Sequence, residues 1–296
     1  MRAGESRHKA KAKAREEYAK EHGGQNPSMV ELVVPTIHSY KTLSVYKEHC
    51  ERFARWCVEN GKCGKYARLD KIEKYAVEYL ETKQAQGLSP YSLASMKSAL
   101  CKLYGERIEY TPPAQYTHAI SRSRGVAARD RHFSEENNKK LITIARATGG
   151  RRADLAKLKP SDFKEIDGRL WVSFEQSKGG RDRMSPVLPR YAQEVREILA
   201  TAEKDKPLFD KIHSAADIHS YRREYCRAMY KAIRNNKKFR ENVERQYPAR
   251  RETNVKSPYY IAADGSKYWR DDVHLCSQAL GHNRLNTTVE HYLTED

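Results

Sequence analysis

Six side chains in the second half of the chain are of types that do chemistry: Arg151, Lys178, His219, Arg222, His282 and Tyr292. Guanidiniums stay charged at any ordinary pH and hold anions with a planar fork. Imidazoles trade protons near neutrality. A lysine amine can deliver a proton, and a phenol turns nucleophilic once it has lost its own. His219 and Arg222 stand three apart in "HSYR", so on a helix they share one face. Taken singly, each has a structural reading that competes with the chemical one. A helical arginine is usually solvated, a lone histidine is more often structural than catalytic, and Tyr292 alone reads as core. The set has to be judged with the elements that would carry it.

The 296 residues hold 56 Lys+Arg against 39 Asp+Glu, a formal net charge of +17. The basic residues recur along the whole length, so a polyanionic partner is expected, nucleic acid first. The length suggests about two domains. Cysteines at 50, 57, 63, 101, 226 and 276 form no CxxC pair and no metal-type spacing with histidine. They read as thiols in a reducing compartment, and the cytoplasm is the expected location. There is no apolar run of membrane length and no hydrophobic signal core. No P-loop, Gly-rich dinucleotide loop or two-metal acidic cluster appears, so neither a cofactor nor a metal is expected.

Residues 1–35 open with an Ala-, Lys- and Glu-rich stretch that favours helix, read as a basic N-terminal arm that is either a solvated tail or a phosphate contact. Residues 36–110 show three helical stripes. Tyr40 to Cys57 is the first and Leu69 to Gln86 the second; the third starts at Ser89 as N-cap with Pro90 behind it and continues through Leu93, Met96, Leu100 and Leu103. Residues 111–130 read as a basic linker with two prolines.

Residues 131–296 form the second domain. Ser134 is expected to cap a helix with Glu135 and Glu136 in its first turn. "RRADLAKLKP" reads as a short helix, and "GRLWVSFEQ", "SKGGRDR" and "MSPVLP" as strand, turn and strand. Helices are expected over "RYAQEVREILATAE" and "DIHSYRREYCRAMYKAIRNN", and an irregular basic stretch over 237–257. A second hairpin is expected around Asp264-Gly265. The helix "DDVHLCSQAL" is expected to end at Gly281, followed by a last short helix over "NTTVEHYL".

Together these residues resemble the catalytic set of the tyrosine recombinase, or phage-integrase, family. "TGGRRADL" is similar to that family's Arg-bearing segment, "SKGGR" to its lysine turn, "HSYR" to its His-x-x-Arg, and "LGHNRLNTTVEHY" to its final histidine and tyrosine. The likeness covers about 131–293, and 36–110 looks like the family's helical core-binding, SAM-like domain. It departs from the family at Gly150, where an apolar residue is usual, and Arg151 is assigned by counting back from Asp154-Leu155. The 223–279 segment is long and is expected to contact DNA or a partner. Only "LTED" follows Tyr292, so protomer contacts are expected from elsewhere than an exchanged C-terminal helix.

The resemblance implies a mainly α fold with a small antiparallel β-sheet, its two domains closing on DNA as a C-shaped clamp. It implies a site-specific recombinase or integrase, serving a mobile element, that cleaves and rejoins DNA through a covalent 3′-phosphotyrosine. The alternatives are a type IB topoisomerase-like enzyme and a non-catalytic basic DNA-binding protein. Arg151 and Arg222 would clamp the phosphate, His219 would act as base and Lys178 as acid, His282 would bond the phosphate or orient its neighbours, and Tyr292 would attack. Lys97, Arg122, Arg124, Arg152 and Arg181 are expected on the DNA. The reaction would need neither metal nor ATP. The expected partners are double-stranded DNA, a second protomer at each site, a homotetramer in the synapse and an accessory directionality factor. The short helix bearing Tyr292 is expected to be loosely held and able to move the tyrosine in and out.

Overall fold

The computed structural model describes residues 2–3, 7–24, 36–37, 39–114, 133–177, 181–247, 257–282 and 284–294. The chain divides into two compact units, Met1–Gln115 and Tyr116–Asp296. No helix among the described residues is long and apolar enough to cross a membrane.

The first unit is helical. β1 (Arg2–Ala3) pairs in parallel with β2 (Thr36–Ile37), and α1 (Arg7–Glu21) lies between them in sequence. Then come α2 (Tyr40–Glu59), α3 (Leu69–Ile72), α4 (Ala76–Ala85) and α5 (Pro90–Tyr104). Ser39 and Ser89 cap α2 and α5 by accepting the amides of Thr42 at 3.0 Å and Ser92 at 3.2 Å. The apolar stripes meet in one core of Phe53, Trp56, Cys57, Tyr79, Leu80, Leu93 and Leu100. The second stripe is not one helix: a 3₁₀ turn over Glu73–Tyr75 separates α3 from α4.

The second unit begins with α6 (Lys139–Thr148) and α7 (Arg152–Leu155). α6 starts later than expected. Ser134 accepts the Asn137 amide at 3.2 Å and so caps a separate turn ahead of the helix. β3 (Phe163–Ile166), β4 (Arg169–Ser177) and β5 (Arg181–Pro186) form an antiparallel sheet in that order. Then follow α8 (Ala192–Ala200), α9 (Ile218–Asn235), α10 (Lys237–Gln246), β6 (Tyr259–Ile261), β7 (Lys267–Trp269), α11 (Arg270–Ala279) and α12 (Leu285–Thr288). The segment Val289–Leu293 continues α12 as a π-turn. Small antiparallel sheets on a helical body are thus the architecture expected from the resemblance.

Two elements depart from the sequence reading. β3 is an extra strand joined to β4 by Asp167 and Gly168, both at positive φ (49° and 71°), which is the two-residue turn that matches strand twist. α10 stands where irregular chain is expected. Asn236 caps it through the Phe239 amide at 2.9 Å, and Phe239 and Val243, four apart, are wholly buried. Lysines and arginines on its outer face mask that two-residue stripe in the sequence.

β4 is the partition of this unit. Successive side chains of a strand face opposite ways. Trp171 therefore joins one core, with Tyr225, Met229, Phe239 and Cys276 from α9, α10 and α11, while Leu170, Val172 and Phe174 join another with α6, α7 and α8. α9 contributes Tyr221 to the second core and Tyr225 to the first, so its first half is held from both sides.

Candidate active site

Arg151 and His282 follow element ends, Tyr292 sits in a π-turn, and His219 and Arg222 lie in the first turns of α9. α6 ends at Gly149 (φ +62°) and is followed at once by Gly150. A Cβ on Gly149 would fall 2.4 Å from the Tyr225 ring, and one on Gly150 2.7 Å from Leu155 Cδ2. Both glycines are required for close approach, which accounts for Gly150 where an apolar residue is usual. Arg151 then enters the site from the N-cap of α7, with its amide on Asp154 Oδ2 at 3.0 Å.

α11 ends in a Schellman turn: the Gly281 amide donates to Gln278 O and the His282 amide to Ser277 O, both at 2.8 Å, with Gly281 at φ +64°. The turn leaves the Ala279 and Leu280 carbonyls pointing at arginines. Arg222 donates to the Leu280 carbonyl and to the Gly149 carbonyl. Arg151 donates to the same Leu280 carbonyl at 3.1 Å. Two guanidiniums from distant parts of the chain thus share one acceptor.

The Tyr292 ring lies beside them, 5.6 Å from the Arg222 guanidinium carbon. Ring centroids of His282 and His219 are 5.0 Å and 6.0 Å from it. His282 Nε2 is 3.4 Å from Arg222, and its Nδ1 is 3.3 Å from Thr288 Oγ1. A guanidinium can only donate, so Nε2 must accept and the proton sits on Nδ1, facing Thr288. The Tyr292 segment is packed more firmly than the loose terminal helix expected. Leu285, Val289, Tyr292 and Leu293 all lie in the core, and Arg227 donates to the Thr294 carbonyl at 2.5 Å.

Arg183 is a residue the sequence reading missed. It reaches Asp154 at 2.9 Å, Ser185 Oγ at 2.6 Å and the Ala279 carbonyl at 2.6 Å, with Phe174 4.1 Å below its guanidinium. A bulge in β4 between Phe174 and Ser177 adds one residue. It lets Ser177 reach the same cluster, donating to Asp154 Oδ1 at 3.0 Å and accepting from Arg151 at 2.8 Å. Alternation along β5 with "RDR" was the available signal for an inward arginine, but periodicity alone does not say which face is buried.

Arg151 and Arg183 thus flank the Asp154 carboxylate while Arg222 shares the Leu280 carbonyl with Arg151, and the excess positive charge shows in the proton affinities. Burial would push the Asp154 carboxyl up, yet Arg183, the Arg151 amide and Ser177 hold it below the ordinary range. Burial and Arg222 lower Arg151, and the same two causes bring Arg183 to about 10. Burial, then Arg222, Arg151 and Arg183, depress His282 to about 3. Burial and Arg222 also lower His219. The Nε atoms of Arg222 and Arg183 are buried without a hydrogen-bond partner. Chemically, the cluster is fitted to hold an anion against a phenol, with neutral imidazoles on either side.

Arg151, His219, Arg222, His282 and Tyr292 are thus brought together. Lys178, Arg122 and Arg124 lie outside the described residues, as does the Arg181 side chain. Arg152 turns away from the cluster onto the carbonyls of His213 at 2.8 Å and Ala216 at 2.5 Å, where it staples the loop ahead of α9. Lys97, on α5, donates to the Tyr110 carbonyl at 2.5 Å. A cavity of about 660 Å³ opens beside Asp154, lined by Lys157, Lys159, Ser161 and Glu175 among others, but not by His219, Arg222 or Tyr292. Among the described residues, no three His, Cys, Asp or Glu side chains are grouped to hold a metal ion.

No protein-family model matches the chain, and no curated protein matches it by sequence. Solved structures do. A XerH site-specific recombinase bound to a palindromic difH substrate, in a post-cleavage complex, is 15% identical, over 86% of this chain and 76% of that one, with a TM-score of 0.53. The Tn1549 transposon integrase in complex with transposon right end DNA is 11% identical over 96% of this chain and 95% of that one, at a TM-score of 0.46. The fold assignment rests on the first of these. The chain has the tyrosine recombinase fold.

Proposed function

We propose that this chain is a site-specific DNA recombinase that cuts and rejoins strands through a covalent 3′-phosphotyrosine on Tyr292, in the service of a mobile element. The observation that carries the reading is the convergence of Arg151 and Arg222 on the Leu280 carbonyl, with the Tyr292 ring 5.6 Å from Arg222. A phosphodiester laid across these forks would meet surplus positive charge and a buried Nε–H without a partner.

The tyrosine oxygen attacks phosphorus, the bond to the 5′ oxygen breaks, and a 3′-phosphotyrosyl ester forms. His219, kept neutral by burial and by Arg222, is the base for the phenol proton. Lys178 is the acid for the leaving 5′ oxygen. One phosphodiester replaces another, so the 5′-hydroxyl of a second strand can reverse the step without ATP. Charge grows on the phosphoryl oxygens in the transition state, and each positioned donor there is worth about 3–4 kcal/mol. His282 accepts from Arg222, and its role is to orient that fork. The XerH neighbour, solved with difH in a post-cleavage complex, is consistent with such chemistry.

Residues 36–110 would then bind DNA beside the catalytic 131–296 across the 111–130 linker, one dimer at each site and a tetramer at synapsis. The test is a nicked suicide substrate built from the sequences flanking the gene. The wild type forms an SDS-resistant adduct, while Tyr292→Phe binds the same DNA and forms none. Absence of any wild-type adduct on these sites refutes the reading. Joining of two distinct sites, rather than relaxation of a supercoiled plasmid alone, separates recombination from topoisomerase action.

A further inference from the structure

We propose that Glu290 is a positioning residue for Tyr292, acting by fastening the turn that carries the tyrosine to the β6–β7 hairpin. The inference rests on Tyr292 being the nucleophile. Glu290 is the second residue of the π-turn Val289–Leu293, two before the tyrosine. Its Oε1 accepts the Ala263 amide at 3.2 Å and the Tyr260 hydroxyl at 3.5 Å. Ala263 lies in the loop between β6 and β7, so the contact joins two elements that are distant in sequence.

The hairpin is a firm support. At its base the Trp269 amide donates to the Tyr230 hydroxyl of α9 at 3.0 Å, and Arg270 Nε donates to the Tyr259 carbonyl at 3.1 Å. Tyr268 packs edge-on against Tyr230, with centroids 5.7 Å apart. Ala262 is buried in the same core as Val289, Tyr292 and Leu293, and Tyr260 and Tyr268 pack against that core.

The tyrosine needs such a support because of its backbone. A π-turn closes its hydrogen bonds over five residues where an α-helix closes them over four, and it is rare, so it persists where its surroundings hold it. Here the Thr294 amide donates to the Val289 carbonyl at 3.1 Å, the five-residue step of that turn. Relaxation to α would rotate Tyr292 about the axis and change its present place 5.6 Å from the Arg222 guanidinium carbon. Glu290 ties the turn on one side of the tyrosine, and Arg227, on the Thr294 carbonyl, ties it on the other. The contact also gives a part of the long 223–279 segment a role in the reaction.

The test compares wild type, Glu290→Ala and Glu290→Gln in single-turnover cleavage of the nicked substrate, with DNA affinity measured alongside. Alanine should slow cleavage about tenfold or more while affinity stays within about twofold, since small misplacement of a reacting atom is costly. Glutamine keeps an oxygen that can accept from Ala263 and should retain most of the rate. A wild-type rate for alanine, or an equal loss for glutamine, overturns the proposal. Amide exchange over 289–294 without DNA should be faster in Glu290→Ala, and unchanged exchange likewise overturns it. If the wild type forms no adduct, the nucleophile reading fails, while the exchange measurement still decides whether Glu290 holds the turn.

Discussion

Replacing Gly281 by alanine tests whether the turn after α11 seats the arginine cluster. Gly281 has φ +64°, and an alanine there costs about 1 kcal/mol of left-handed strain. Its Cβ would also fall 2.7 Å from Arg183 Cδ. That carbon cannot swing aside cheaply, because the guanidinium beyond it is held by Asp154 at 2.9 Å and by the Ala279 carbonyl at 2.6 Å. If Arg183 lets go, a buried carboxylate loses its main partner, a loss of about 3 kcal/mol. Gly168→Ala is the control: φ is +71°, and nothing lies within 4 Å of the added methyl. The expected losses are about 1 kcal/mol for the control and about 3–4 kcal/mol for Gly281→Ala. For a unit of this size each kcal/mol lowers Tm by about 2–4 °C, so melting should fall about 3 °C and about 10 °C respectively. Circular dichroism melts measure both, and cleavage should fall further in Gly281→Ala as the Leu280 carbonyl shifts. Equal melting shifts in the two variants would refute the steric argument, because only backbone strain is common to both.

Arg222→Lys keeps the charge but cannot bridge the Gly149 and Leu280 carbonyls with one ammonium. Cleavage should drop about 10²–10³-fold while DNA affinity changes by a few-fold at most, and equal losses in both measurements would contradict a transition-state role. Folding stability should decline as pH falls below about 6.5. His282 stays neutral in the folded chain down to about 3, whereas the unfolded chain takes up the proton near its ordinary value, so this contribution is complete above that value and lost on acidification. Urea unfolding at pH 7.5 and 5.5 measures the decline, which His282→Gln should shrink; an unchanged decline counts against the assigned environment. DNA affinity should fall steeply with salt, as expected for release of counterions from about six or more phosphates, and a flat dependence would argue against backbone binding by this basic chain.

The placement of His219, Arg222 and His282 was legible because these residues sit in short local motifs. "HSYR" and "LGH" need only helix spacing and a glycine stop, and both lie where those features put them, on α9 and after α11. The helical stripes of the first unit were legible for the same reason: apolar spacing and the Ser89-Pro90 start are local signals. β3 was missed although Asp167-Gly168 is a hairpin signal, and α10 because its buried face is two residues wide.

What the sequence determined by itself was which residue types stand at which local spacing, and hence which elements form and which side chains can share a face. Arg151 was picked over Arg152 by its spacing to Asp154-Leu155, but only the tertiary structure decided that its fork and that of Arg222 meet on Leu280 O, and that Arg183 and Asp154 lie beside them. It also set Tyr292 on a π-turn braced by a hairpin. The physical reason is that caps and periodicity are written within a few neighbouring residues. A shared acceptor or a buried ion pair depends instead on which carbonyl or carboxylate the packed core brings within 3 Å, and residues as far apart as 151 and 280 carry no local mark of each other.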